Sequence, residues 1–319
     1  MKYRRLGKTG LQVSEIGFGG WAIGGTSYGP TKDEESLDAL ETAWEAGVNF
    51  YDTADTYGHG HSETLLAKFL KGKPKDKIFV ATKAGWDFYH GGSRKNFDPD
   101  YIRFACDESL KRLGIDTIDL YQLHNPSLEM IQSGRLADVL ETLKKEGKIR
   151  FIGISIHKES EAIAAMEDKR VDTLQLVFNL IDQRMASRVF PEAVKKKVGL
   201  IVREPLACGI LANKHKRNHT FLKTDHRRRW TREKLELDLK KIEKLKTILA
   251  TERMSLAKAA LEYALDFEEV STVIPGAKTR AQAFENASAS NDPQLRIEES
   301  YHLRSLYRRE PIFKEGLEE

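Results

Sequence analysis

Residues 118–155 read IDLYQLHNPSLEMIQSGRLADVLETLKKEGKIRFIGIS: an apolar run, a polar loop, an amphipathic stretch and a second apolar run. The amphipathic stretch at 136–145 is followed by Gly147, which is a helix stop signal, so a helix is predicted there. Two short apolar runs with a helix between them are typical of parallel strands joined by a crossover.

The same pattern recurs along the whole chain. The short apolar runs begin near Ile16, Asn49, Ile78, Ile118, Ile149, Thr173, Gly199 and Ser271. Eight strands that alternate with helices predict a parallel sheet. An open, doubly wound sheet could hold eight strands, but a closed (β/α)8 TIM barrel uses that number and leaves no exposed edge. The barrel is therefore the expected α/β fold.

Turn and cap signals place further elements around these runs. Residues 3–6 and 11–16 are strand candidates, and Gly7-Lys8-Thr9-Gly10 supplies a turn between them, which predicts an N-terminal β-hairpin. Helices are expected to begin at the acidic cluster that starts with Asp33 and at Asp98-Pro99, where a cap residue precedes proline.

The interval before the eighth run is much longer than the others. It contains a basic loop at 214–234 and predicted extra helices around 235–251 and 255–265. The tail from about Pro293 is also predicted to be helical. Because no low-complexity linker divides the chain, residues 1–319 are expected to form a single domain.

Composition narrows the class of protein. The chain has 319 residues, of which 40% are hydrophobic and 31% charged, which suits a buried core and excludes bulk disorder. A net charge of +4 is too balanced to indicate a nucleic-acid partner. No apolar run approaches the ~20 residues of a membrane helix, and no signal peptide is recognisable. With only Cys106 and Cys208 present, a cytoplasmic protein is expected.

Polar side chains stand at the ends of three consecutive runs. Asp52 ends the second run, Lys83 the third and His124 the fourth, and Tyr57 follows Asp52 by five residues. In a parallel barrel these ends meet at one mouth, with neighbouring strands ~4.8 Å apart. An ordinary rim ion pair with a core histidine would explain any one of these residues, but not all four together.

This set of side chains suits proton donation to a carbonyl oxygen. A tyrosine alone is a weak acid at neutral pH, and a neighbouring lysine cation lowers the pKa of the phenol. A carboxylate keeps the lysine charged, and a histidine orients the substrate oxygen. None of these groups supplies electrons, so a hydride donor is implied.

Several motifs together resemble the aldo-keto reductase family over nearly the whole chain. The matching stretches are Gly17-Phe18-Gly19 with Trp21, Asn49-Phe50-Tyr51-Asp52-Thr53-Ala54, Tyr57-Gly58, Ser62-Glu63, Thr82-Lys83, Asp119-Leu120-Tyr121-Gln122-Leu123-His124, Gly153-Ile154-Ser155 and Ile274-Pro275-Gly276-Ala277. The resemblance implies a (β/α)8 barrel that reduces aldehydes and ketones. It also implies a catalytic tetrad of Asp52, Tyr57, Lys83 and His124, with Tyr57 as the general acid.

The resemblance further implies NADPH as cofactor, with NADH as a weaker alternative. The implied cofactor-binding residues are Ser155, Gln175, Arg203, Pro205, Leu206, Gly209, Lys214, Gly276, Lys278, Gln282, Glu285 and Asn286. Ser155 and Gln175 would hold the nicotinamide carboxamide, and Lys278 suits a 2′-phosphate. Ile156 stands where the family often has asparagine.

Two tryptophans and one basic stretch each allow two interpretations. Trp21 and Trp86 follow strand ends, and they either line an apolar substrate pocket or pack loops over the barrel mouth. The basic stretch at 214–234 is either a solvated loop or a lid over the cofactor phosphates. Residues 84–97 are interpreted as a loop without a readable specificity code.

The leading hypothesis is a cytoplasmic, NADPH-dependent reductase of small carbonyl compounds, including sugar carbonyls. The alternative is a regulatory subunit that binds cofactor with little turnover, because residues 205–210 resemble the potassium-channel β-subunit branch of the family. A third hypothesis is a metal-dependent hydrolase, which His59-Gly60-His61 would serve. Neither nucleic acid nor a membrane is an expected partner, and no oligomeric state is predicted.

Overall fold

The chain begins with the predicted hairpin. The structure is a computed structural model that describes residues 1–213, 215–216, 218–249 and 253–317. Strands β1 (Tyr3–Arg5) and β2 (Gln12–Ser14) pair antiparallel.

Eight further strands in the described part of the chain form one parallel sheet. In chain order the strands after the hairpin are β3 (Phe18–Gly19), β4 (Phe50–Asp52), β5 (Phe79–Ala84), β6 (Trp86–Asp87), β7 (Arg94–Lys95), β8 (Ile118–His124), β9 (Ile149–Ser155), β10 (Thr173–Val177), β11 (Gly199–Arg203) and β12 (Val270–Val273). The sheet order is β3-β4-β5-β8-β9-β10-β11-β12, while β6 and β7 form a separate antiparallel ribbon.

The first and last strands of this sheet meet and close the barrel. Parallel bridges join Ile16 to Val273 and Gly19 to Gly276. A Cβ atom on Gly19 would lie 2.6 Å from the Ile274 carbonyl oxygen, so this approach requires glycine. Closure confirms the predicted (β/α)8 barrel and excludes the open sheet.

The hairpin covers the N-terminal end of the barrel. Leu6, Leu11 and Val13 are buried in one cluster with strand residues such as Phe50 and Leu120. The hairpin turn packs so closely that a Cβ atom on Gly7 would lie 2.2 Å from the Gly199 amide nitrogen, at the start of β11. Since this end is plugged by apolar side chains, a polar site is left to the opposite end.

The helices lie outside the strands. They are α1 (Asp33–Glu45), α2 (His61–Leu70), α3 (Pro99–Leu113), α4 (Leu128–Gln132), α5 (Arg135–Lys145), α6 (Glu159–Glu167), α7 (Val189–Lys196), α8 (Arg232–Lys246), α9 (Leu256–Leu265), α10 (Arg280–Asn291) and α11 (Ile297–Arg309). None of those in the described ranges has the length and apolar character needed to cross a membrane.

Helix starts follow the cap signals. The Asp98 side chain accepts a hydrogen bond from the Asp100 amide at 2.9 Å, so α3 begins at the predicted cap. The predicted boundaries of the long interval were wrong at one point: α8 begins at Arg232, inside the expected basic loop. The reason is Thr231, whose hydroxyl oxygen accepts from the Lys234 amide and caps the helix. A short 3-10 turn, His226–Arg229, precedes it.

Candidate active site

Asp52 and Lys83 form a buried ion pair at the C-terminal ends of the neighbouring strands β4 and β5. Lys83 Nζ lies 2.5 Å from Asp52 Oδ1 and donates a second hydrogen bond to the Thr53 carbonyl oxygen at 2.8 Å. The Lys83 side chain is 0% exposed and the Asp52 side chain is 2% exposed. Buried charges persist only when they compensate each other and are hydrogen-bonded, so the lysine is held in place as a cation.

Tyr57 and His124 lie beside this pair. The Tyr57 ring centroid is 5.1 Å from Lys83 Nζ and 5.8 Å from the His124 ring centroid. Gly58 makes the turn after Tyr57 possible, since its φ is +63° and a Cβ atom there would lie 2.1 Å from the Gly24 carbonyl oxygen. The structure thus brings the four residues of the predicted tetrad together at one mouth.

The environment sets the protonation of these groups. Burial raises the pKa of the Tyr57 phenol, and the Lys83 ammonium offsets only part of that rise. Burial opposes the charge on Lys83, but its interactions with Asp52 and Tyr57 together more than compensate, so the pKa of Lys83 is raised. The pKa of His124 is well below its usual range, because of burial and the nearby cations Lys83 and Arg203. At neutral pH the site therefore holds a protonated phenol, an ammonium and a neutral imidazole.

Two glutamines complete the surroundings of Asp52. Its Oδ2 atom accepts hydrogen bonds from Gln122 Nε2 at 2.9 Å and from Gln175 Nε2 at 2.7 Å. Sequence reasoning missed Gln122. The available signal was its position two residues before His124 on the same strand, which places both on the inward face of β8.

The predicted nicotinamide residues lie on β9 and β10: Ser155 ends β9, and Gln175 lies in the middle of β10. Ser155 Oγ donates to Asn125 Oδ1 at 2.9 Å, and Asn125 follows His124 with a left-handed φ of +61°. Gln175 is turned toward Asp52 and also lies 3.2 Å from Gln122 Oε1. Gln175 therefore contacts the Asp52 carboxylate, and its role toward a cofactor stays a prediction.

Arg203 ends strand β11 and opens an irregular loop. Its Nη2 atom lies 2.9 Å from His157 Nδ1, and its Nη1 atom donates to the Glu204 carboxylate. Its Nε atom is buried and has no partner among the described residues.

The loop after Arg203 contains the predicted residues Pro205, Leu206 and Gly209. Several of its residues have positive φ values, namely Glu204, Ala207, Cys208 and Gly209. Three of its backbone N–H groups, those of Ala207, Gly209 and Leu211, donate to carbonyl oxygens inside the loop. Arg227 reaches this loop and donates to the Cys208 carbonyl oxygen at 3.0 Å.

The remaining predicted cofactor residues follow β12. Lys278 Nζ donates to the carbonyl oxygens of Tyr28 and Gly29, and its backbone amide donates to Gln282 Oε1 at 2.8 Å. Two further predicted residues have hydrogen-bond partners in the same region. Asn286 Nδ2 donates to the Gly276 carbonyl oxygen, and Glu285 Oε1 accepts from Ser255 Oγ. Lys214 lies outside the described residues.

Part of the basic stretch crosses the mouth. The Ser27 carbonyl oxygen accepts from the His226 amide at 2.8 Å and lies 2.7 Å from His226 Nδ1. The Trp21 ring packs on His226 with centroids 4.7 Å apart, and it stacks near Tyr57 at 6.0 Å. These contacts hold His226 against the segment between β3 and α1, and the lid over the cofactor phosphates stays a prediction.

The two histidines of the His59-Gly60-His61 motif have separate partners. The His59 ring stacks on Phe88 with centroids 5.1 Å apart, and His61 Nε2 lies 2.9 Å from Asp33 Oδ1. Among the residues that the structure describes, no group of three or more His, Cys, Asp or Glu side chains is arranged to hold a metal ion.

The residues opposite the tetrad fit a dinucleotide cofactor. Those described lie on or after four consecutive strands, β9 to β12, beside the strands that carry Asp52, Lys83 and His124. The buried, unpartnered Arg203 Nε offers a donor to an anionic, planar group.

Comparison with known proteins places the chain in a family. The model of the family described as "Aldo/keto reductase family" matches residues 15–308. The chain is 31% identical over 317 residues to the uncharacterized oxidoreductase YqkF of Bacillus subtilis (strain 168), covering 98% of this chain and 99% of that protein. It is 29% identical over 306 residues to the NADH-specific methylglyoxal reductase of Escherichia coli (strain K12), covering 91% and 94%.

A solved structure shows the same barrel. The glycerol dehydrogenase AKR11B4 from Gluconobacter oxydans superposes with a TM-score of 0.81 at 28% identity, over 97% of this chain and 96% of that chain. Together with the eight-stranded closure and the four converging side chains, these matches show that the chain belongs to the aldo/keto reductase family of NAD(P)H-dependent oxidoreductases.

Proposed function

We propose that this protein reduces aldehydes or ketones to alcohols, with NADPH as the hydride donor and Tyr57 as the general acid. The observation that carries the proposal is the buried Lys83–Asp52 ion pair beside the Tyr57 phenol, with His124 on the other side of the ring.

The chain's own residues account for the proton transfer. The Tyr57 hydroxyl gives its proton to the carbonyl oxygen, and the Lys83 ammonium stabilises the phenolate that remains. Asp52 holds the lysine in place, and its second oxygen is fixed by the two glutamines. Neutral His124 orients the carbonyl oxygen toward the phenol.

The reduced nicotinamide supplies the hydride when it is bound. We assign its carboxamide to Ser155 and Gln175, its ring to the neighbourhood of Arg203, and its pyrophosphate to the loop of Pro205, Leu206 and Gly209. The adenosine end falls to residues after β12, namely Gly276, Lys278, Gln282, Glu285 and Asn286, and Lys214 is a further phosphate contact. Trp21 and Trp86 are assigned to the substrate side of the mouth.

The names of the relatives support a small, oxygenated substrate. One is a methylglyoxal reductase and another a glycerol dehydrogenase, so both names refer to three-carbon compounds. The proposal also treats residues 1–319 as a single aldo-keto reductase domain, which the closure of the sheet between Gly19 and Gly276 supports.

The direct test is NADPH oxidation, followed by absorbance, with methylglyoxal, nitrobenzaldehyde and erythrose. We expect steady-state turnover with at least one of these carbonyl compounds. Saturable NADPH binding in a fluorescence titration, with no turnover of any compound, would contradict the proposal and would favour a regulatory subunit.

Reversing the charge of Lys278 is expected to discriminate between the two cofactors. Lys278→Glu should weaken NADPH binding about 10- to 100-fold, the range of one charge-assisted hydrogen bond, and NADH binding by less than about threefold. Fluorescence titration of both cofactors measures the ratio. Lys278 also holds the Tyr28 and Gly29 carbonyls, and loss of that contact affects both cofactors alike. Equal losses would therefore rule out the phosphate role.

A further inference from the structure

A short ribbon stands beside the catalytic mouth. Strands β6 and β7 follow β5, the strand of Lys83, and pair Trp86 with Lys95 and Asp87 with Arg94. Side chains alternate between the two faces of a strand, so Trp86 and Lys95 share one face and Asp87 and Arg94 the other.

The two faces of the ribbon have different surroundings. Asp87 is buried, and its carboxylate binds His90 Nδ1 at 3.0 Å and Asn96 Nδ2 at 3.1 Å. On the other face, Lys95 Nζ lies 5.8 Å from the centroid of the Trp86 ring and donates to the Asn125 carbonyl oxygen at 2.9 Å. Asn125 directly follows His124 in the chain, so the ammonium group lies at the end of β8, the strand that carries His124.

The Lys95 ammonium is exposed and not neutralised. Within the described ranges, no carboxylate lies within ion-pair distance of 4 Å from it. Two carboxylates at the mouth are paired with other cations: Asp52 binds Lys83, and Glu204 binds Arg203.

The electrostatic surroundings of His124 agree with this geometry. Burial is the largest cause of the low pKa of His124. The other groups that lower it are all cationic or basic, namely Lys83, Arg203, His157 and Lys95. A cleft lined by one sign of charge attracts ligands of the opposite sign. The mouth is therefore positive on the side of the ribbon.

We infer that Lys95 and Trp86 form a subsite for an anionic group on the carbonyl substrate, so that the preferred substrates carry a carboxylate or a phosphate. The inference rests on the proposed reductase function and names its substrate class. The ammonium would donate to the anion, and the indole would exclude water from one side of that contact. The carbonyl group would then lie at Tyr57 and His124.

Matched pairs of substrates test this inference. Succinic semialdehyde and butanal differ in a carboxylate, and glyceraldehyde 3-phosphate and glyceraldehyde differ in a phosphate. We expect the wild type to show at least a tenfold higher kcat/KM for the charged member of one pair, and we expect the ratio to fall as salt is added, because salt screens exposed charges. The pair that shows the preference identifies the anion.

Lys95→Gln is expected to lower kcat/KM for the charged substrate about 10- to 100-fold and for the neutral one by less than twofold. The chain offers a matched control in Arg94→Gln, which removes the same charge from the same ribbon on its opposite face. This control should change neither value by more than about twofold, and Lys95→Arg should keep the preference. Equal kcat/KM within both wild-type pairs, or equal losses in the Lys95 and Arg94 variants, would overturn the inference.

A binding measurement separates this inference from the proposed function. If no aldehyde is reduced, the reductase function fails, and calorimetric titration of succinate into protein saturated with NADP⁺ then decides on the subsite. Binding that is at least tenfold weaker in Lys95→Gln than in Arg94→Gln supports it. Equal affinity in the two variants, or no binding by the wild type, overturns it.

Discussion

Tyr57→Phe is expected to lower kcat for carbonyl reduction by about 10²- to 10⁴-fold, which is the usual contribution of a general acid. NADPH affinity should stay within about twofold of the wild type, because the assigned cofactor residues lie on the other strands of the barrel. Burial raises the pKa of the phenol above its ordinary value, so the acid stays protonated through the neutral range. Stopped-flow measurement of a single turnover gives the rate, and fluorescence titration gives the affinity.

Tyr121→Phe is a matched control for this variant. Tyr121 is a fully buried tyrosine of strand β8 whose hydroxyl donates to the Ile102 carbonyl oxygen at 3.4 Å, on the helix side of the strand. It should keep wild-type kcat. In the wild type the single-turnover rate should be flat from about pH 7 to 9, because burial lowers the pKa of His124 well below its ordinary value and raises the pKa of Tyr57 above its own. Near-normal turnover by Tyr57→Phe would refute the assignment of the acid.

Lys83→Met is expected to impair both catalysis and folding. Without the ammonium, the phenolate of Tyr57 loses its stabilising charge, so kcat should fall by at least about 10²-fold. The Asp52 carboxylate is left buried with the two glutamines as its remaining side-chain partners, so the free energy of unfolding should fall by about 3–5 kcal/mol. Urea unfolding followed by circular dichroism measures the second effect.

The double variant Asp52→Asn/Lys83→Met separates the two effects. It removes the unpaired charge and keeps an oxygen for Gln122 and Gln175, so most of the lost stability should return. Turnover should stay as low as in Lys83→Met. If turnover returned together with stability, the ion pair would be a structural feature and not part of the proton-transfer site.

Local patterns predicted most of the architecture. The eight apolar runs, the Asp98 cap and the hairpin turn at Gly7 all depend on residues within a few positions of each other. Strand ends also carry chemistry that can be recognised in the sequence, because Asp52, Lys83 and His124 each end a run on neighbouring strands.

Other features depend on contacts between distant segments. Gln175 reaches Asp52 across 123 positions of sequence, and Lys278 reaches the Gly29 carbonyl across 249. The local sequence of residues 84–97 predicts only a loop, yet this segment contains the ribbon that places Lys95 beside Asn125. No periodicity marks such pairings.

The sequence alone therefore determined the alternation of eight barrel strands with helices and the residue types at the strand ends, because caps and periodicity are short-range properties of the chain. Tertiary structure decided which groups meet, such as the glutamines that bind Asp52 and the contact of His226 with the Ser27 carbonyl oxygen. It also decided the burial that raises the pKa of Tyr57. These depend on where the barrel closes and on how much water burial removes, and both are set by the packing of the whole chain.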